Sequence, residues 1–140
     1  MSGNYPATFA AIDAWAEANG ATVEDGQVRF AQGAVLRAIA GSRVLNRALV
    51  FKGGNALDFV WYANRSTQDL DFSADMTALD PTWDLAHIGT YLRDGLSRAL
   101  VPVAAALDLT MTMQRFGQQP PGNPTKPFII YSSSQRSVVR

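Results

Sequence analysis

The sequence predicts a chain of the α/β class in its α+β form, with a small mixed sheet, flanking helices and the order ααβαβαββ. Three observations predict it. Long segments place apolar residues at helical spacing. Short segments run continuously apolar or alternate strictly with polar residues. Glycines and prolines fall at the joints between them. With 140 residues, 47% hydrophobic and 17% charged, residues 1–140 read as one domain around one core.

Residues 6–19 carry Phe9, Ile12, Trp15 and Ala16 at helical spacing, and Gly20 is a stop. Residues 27–40 repeat the pattern with Val28, Ala31, Val35, Ala38 and Ile39 before Gly41. Residues 48–51 form a short apolar run that halts at Gly53-Gly54, which reads as a buried strand entering a sharp turn. A helical pattern resumes over residues 55–63, and residues 69–73 form a second short strand. Asp80-Pro81 suits the N-cap and first position of a long helix with Leu85, Ile88, Leu92, Leu96 and Leu100 on one face, ended by Pro102. Residues 107–116 alternate apolar and polar, as a half-buried strand does, and residues 128–131 pair with them across a long loop.

Composition excludes several classes of function. Lys+Arg and Asp+Glu are 12 each, which disfavours a general polyanion binder held by bulk positive charge but not a local basic patch. There is no cysteine, which removes disulfides, thiolate metal sites and a cysteine nucleophile, and the lone His87 removes multi-histidine metal sites. The N-terminus has neither a basic nor an apolar leader region, and no apolar run is long enough for a membrane. The expectation is a cytoplasmic protein with no membrane contact.

Chemistry concentrates in residues 49–75. Gly53-Gly54 follows a strand and opens a helix, so backbone amides at the positive helix end can approach a phosphate with no Cβ between them. Asp69 and Asp71 are two apart on a strand and share a face, while Leu70 and Phe72 turn to the core. Paired carboxylates suit Mg²⁺ (or Mn²⁺), which takes oxygen ligands and bridges to substrate phosphates. Lys52 suits phosphate neutralisation or simple solvation. Arg65 suits a phosphate contact or a structural pair with Asp58 or Asp75. The lysine precedes the glycines, so this is no Walker A loop.

Taken together, Lys52-Gly53-Gly54-Asn55-Ala56-Leu57 and Arg65-Ser66-Thr67-Gln68-Asp69-Leu70-Asp71-Phe72 resemble the AbiEii/AbiGii toxin family of the DNA polymerase β-like nucleotidyltransferase superfamily. The resemblance covers most of this chain and the N-terminal catalytic part of a typical member, whose helical C-terminal half has no counterpart before Arg140. It implies transfer of a nucleoside monophosphate from an NTP to an acceptor, RNA or tRNA in some relatives, within a type IV toxin–antitoxin or abortive infection system. Asp69 and Asp71 would be the catalytic metal ligands. Gly53 and Gly54, with Lys52 and Arg65, would bind the nucleotide phosphates. An antitoxin or a second chain completing the fold is the implied protein partner.

Superfamily enzymes carry a third carboxylate on a later strand. Residues 127–133 match that strand best and hold no acid, and Asp108 is the weaker candidate. The alternative function is therefore an inactive or incomplete nucleotide-binding module of the same fold. Thr67 reads as a turn residue, Asp75 as a loop acid beside the site or facing solvent, His87 as a surface or packing residue, and Trp15, Trp61 and Trp83 as core or partner-facing. Arg136 and Arg140 fall in a Ser-rich tail for which disorder is the expectation.

Overall fold

The computed structural model describes residues 5–52, 70–119 and 130–138. A single 3-10 turn, Phe9–Ala11, leads into α1 (Ile12–Asn19), followed by α2 (Val23–Gly41) and α3 (Arg43–Ala48). The strands β1 (Leu49–Lys52) and β2 (Leu70–Ala74) come next, then α4 (Leu85–Ala106), β3 (Thr110–Gln119) and β4 (Ile130–Val138).

Local chemistry sets the helix ends. Gly20 closes α1 at φ 60°, the left-handed conformation that a residue without Cβ adopts at least cost. Thr22 and Asp25 form a reciprocal capping box, each side chain accepting from the other's backbone N–H at 3.1 Å. That box starts α2 four residues before the expected residue 27, where the apolar stripe alone had set the boundary. Ser42 caps the short α3, an element the sequence reading did not contain. The expected Asp80 cap is corrected to Asp84, whose carboxylate accepts from the His87 backbone at 2.7 Å. Asp80 is already engaged by the Thr82 N–H and hydroxyl, at 2.8 and 2.6 Å, in a turn ahead of the helix. Pro102 lies inside α4 and does not end it. The proline removes one backbone hydrogen bond, but buried Leu100 and Ala104 on either side keep the last turns packed.

The four described strands form one sheet in the order β1-β2-β4-β3. All three pairings are antiparallel, so the α+β class holds while the sheet is not mixed among its described strands. The long-looped hairpin expected at the end of the sequence is present as β3 and β4. Its second strand reaches Val138, so Arg136 stands opposite Thr112 in a ladder and is not in a disordered tail. Backbone pairing explains this: the amides and carbonyls of β3 need partners, and a serine-rich segment supplies them as well as an apolar one.

Helices α2, α3 and α4 cover one face of this sheet. Val35, Ile39, Leu45, Ile88, Leu92 and Leu96 meet Leu49, Leu70 and Phe72 in a continuous buried cluster. Phe51 and Phe72, opposite one another in the β1–β2 register, pack with ring centroids 5.6 Å apart. Gly26 lets α1 lie directly on α2, since a Cβ there would come within 2.8 Å of the Ile12 side chain. Trp15 is core, and Trp83 is half-buried between His87 at 4.4 Å and Tyr91 at 4.7 Å. His87 is an exposed stacking partner, in line with a packing role.

Candidate functional site

The site is built from β2 outward. Alternation along this strand buries Leu70, Phe72 and Ala74 completely or nearly so and leaves Asp71 and Ser73 half-exposed. Two partners for the sequence LDFSA follow from one geometric fact: successive residues of a strand face opposite ways. The helices claim one face, and Asp71 is left on the other. That second face is not covered at β1, where Val50, opposite Ser73, is 54% exposed.

Asp71 does not sit on a sheet edge. Strand β2 is interior, with β1 on one side and β4 on the other, and the Cα of Asp71 is paired with those of Lys52 and Ser132. The structure thus brings two of the expected site positions, Lys52 and Asp71, to one rung of the sheet, at the end of β1 from which the chain continues into Gly53-Gly54. Asp69, Gly53, Gly54, Arg65 and the helix expected over residues 55–63 lie outside the described residues, as do Trp61 and Thr67.

The other acids of this region are spoken for or distant. Asp75 follows β2 and caps the 3-10 turn Met76–Ala78, accepting from the Thr77 hydroxyl at 2.6 Å and the Thr77 N–H at 3.0 Å. Those two bonds favour the charged form and hold its carboxyl below the usual range, the hydroxyl contributing more. Asp80 is lowered in the same way by Thr82. Asp108 is an exposed turn residue at φ 55° between α4 and β3, not the first residue of a strand. The β3 residue in line with Asp71 across the sheet is Gly117, through Ser132. Thr110, where β3 begins, is roughly 20 Å from that rung by strand rise alone. Asp108 is therefore at the far end of the sheet from Asp71.

Neither strand beside β2 carries an acid within its described residues: β1 reads LVFK and β4 reads IYSSSQRSV. The position opposite Asp71 on β4 is Ser132, which the sequence alone did not single out. Its signal was the acid-free composition of residues 127–133, but the register that sets Ser132 beside Asp71 is a tertiary fact. Among the described residues no group of three or more His, Asp or Glu side chains is placed to hold a metal ion, and no helix is long and apolar enough to cross a membrane.

Comparison with known proteins follows the same residues. The family model described as Nucleotidyl transferase AbiEii toxin, Type IV TA system, matches residues 34–135, from the middle of α2 into β4. No curated protein and no solved structure matches the chain. The match spans well over half of the sequence and takes in the whole stretch from Lys52 to Phe72 on which the resemblance rests. With that span, the chain belongs to the AbiEii nucleotidyl transferase toxin family of type IV toxin–antitoxin systems.

Proposed function

We propose that this chain transfers a nucleoside monophosphate from an NTP to an acceptor hydroxyl on RNA, with tRNA the acceptor class implied by relatives. The acceptor oxygen forms a bond to the α-phosphorus as the bond to the β-phosphate oxygen breaks. Pyrophosphate leaves, and the hydroxyl proton passes to solvent. Asp71 and Asp69 are the carboxylates that would hold Mg²⁺ (or Mn²⁺). Bound there, the cation supplies neutralisation of the charge that develops on the phosphates. The donor chemistry fits such a hard cation: Asp71 offers carboxylate oxygens on a half-exposed face that the core does not use. Gly53 and Gly54 would cradle the triphosphate, and Lys52 and Arg65 would offset its charge. Catalysis in this reading is positioning and electrostatics, with no covalent protein intermediate. An antitoxin is the partner that the family description brings with it.

The single observation that supports the reading is the rung formed by Lys52 on β1 and Asp71 on the interior strand β2, at the entry to Gly53-Gly54. The test is transfer of α-labelled NTP onto total RNA by the purified chain. Asp71→Asn should lower transfer by at least about 10²-fold, because several kcal/mol of charge stabilisation is lost. Full activity in that variant would remove Asp71 from the metal site.

A second reading has its own support. The β4 residue opposite Asp71 is Ser132, the described parts of β1 and β4 hold no acid, and Asp108 is remote. A nucleotide-binding module that does not turn over, or that needs a second chain, fits those facts. Calorimetric NTP binding without any label transfer supports it, and transfer by the purified chain alone rules it out.

A further inference from the structure

Away from the Asp71 rung, the surface between the C-terminal half of α2 and the Tyr91–Val103 stretch of α4 opens into a groove of about 420 Å³, flanked by α3. Its lining is mainly apolar, with Val44, Tyr91, Pro102 and Val103 in it, and the exposed Arg37 and Arg98 line it from opposite helices. Val44 is 51% exposed, although it is β-branched and apolar. No acidic residue lines the groove among the described residues; Asp84 and Asp94 line an adjoining depression that shares Tyr91 and Arg98 with it, so Arg37 is the groove arginine with no acid lining beside it.

Charge is segregated along the chain in the same direction. Residues 1–28 contain Asp13, Glu17, Glu24 and Asp25 and no Lys or Arg. Residues 29–57 contain Arg29, Arg37, Arg43, Arg47 and Lys52 and no acid. Helix α2 spans roughly 28 Å by its rise per residue, so it separates an acidic end from a basic end, and the groove lies at the basic one. Arg37, Arg43, Arg47 and Arg98 are all exposed there.

We propose that this groove docks an acidic amphipathic helix of a partner protein, with apolar side chains seated against Val44, Tyr91, Pro102 and Val103 and carboxylates meeting Arg37 and Arg98. A seat between two helices is the seat a third helix takes, and the volume holds about two or three apolar side chains at interior packing density. The apolar floor selects against a bare phosphate backbone, which offers nothing to bury. A second copy of this chain is also disfavoured. Its acidic corner is α1 with the start of α2, where Ile12, Trp15 and Ala16 are already buried and Val23, 47% exposed, is the main apolar side chain it could offer to the groove. The inference stands apart from the transferase reading and does not need it.

The test uses the full chain and a labelled peptide of roughly 16 residues, long enough for four helical turns, with Leu at helical spacing and Glu between. A scrambled peptide of the same composition and a single-stranded RNA serve as controls. Saturable micromolar binding is expected for the patterned peptide by fluorescence anisotropy, with NMR shifts centred on Val44, Tyr91, Gly95 and Val103. Arg37→Glu with Arg98→Glu should weaken it at least about tenfold, equal to about 1.4 kcal/mol. Arg93→Glu, outside the groove, should leave it unchanged. If the double variant folds poorly by circular dichroism, the single changes Arg37→Gln and Arg98→Gln carry the same comparison. The proposal is overturned by absent saturable binding up to millimolar peptide, by equal binding of the scrambled peptide, by shifts centred elsewhere, or by RNA that displaces the peptide at lower concentration.

Discussion

The two faces of β2 divide the molecule into a part buried beneath the helices and a part half-exposed to solvent. On one face Leu70, Phe72 and Ala74 disappear beneath α2, α3 and α4. On the other, one residue along, Asp71 and Ser73 remain half-exposed beside an uncovered Val50. The residues are neighbours in sequence and share one backbone conformation. What separates them is only which side of the sheet the helices occupy. A carboxylate at position 72 would have to give up its hydration with no partner among aliphatic side chains, whereas at position 71 it is half-exposed and keeps contact with solvent.

That contrast can be attacked from the core side first. Phe72→Ala removes a fully buried ring that also packs on Phe51, so it should cost about 3–5 kcal/mol in chemical denaturation. A loss under about 1 kcal/mol would mean that the inner face is not packed as described. Overfilling the contact between α1 and α2 is the next largest effect. Gly26→Ala puts a methyl group 2.8 Å from the Ile12 side chain and 3.3 Å from its carbonyl, and should destabilise by about 1–3 kcal/mol, despite alanine's better helix propensity. Below that comes the helix entrance: Asp84→Ala deletes the α4 cap and should cost about 1 kcal/mol, while Asp80→Ala leaves the helix start intact.

The outer face should respond least in stability and most in activity. Asp71→Asn should change unfolding free energy by less than about 1 kcal/mol while lowering transfer at least about 10²-fold. A large stability loss would mean that Asp71 is structural. The smallest effect is that of pH on the turn after β2. Asp75 binds its proton more weakly folded than unfolded, because Thr77 hydrogen-bonds the charged carboxylate. Its contribution is therefore fully present above the unfolded value near 3.8 and lost as pH falls through the lower folded value. Asp75 should titrate below an ordinary aspartate in NMR, and Thr77→Val, which removes the hydroxyl bond but keeps the backbone N–H bond, should raise it part of the way back.

Much of this was legible in the residues. The alternation of Leu70, Asp71 and Phe72 gave the strand and its faces, because a period of two leaves little choice once two large apolar side chains need burial. Helix α2 was legible from its stripe, but its start was not, because the Thr22–Asp25 box lies ahead of the apolar repeat. Asp80 and Asp84 present the same cap chemistry four residues apart, and only the turn made with Thr82 decides between them. Strand β4 was understated because its serines carry little intrinsic preference and pair through a ladder that β3 imposes.

By itself, the sequence determined the α+β class, the inward face of β2, and the Lys-Gly-Gly and Asp-Leu-Asp pattern that marks the family, all of which follow from side-chain period and residue type over short spans. The tertiary structure alone decided that β2 is interior, that Lys52 and Ser132 stand on either side of Asp71, and that Asp108 is at the opposite end of the sheet. Strand order and register join residues far apart in the chain, and they are fixed by how helices and strands bury a common core, which no local pattern encodes.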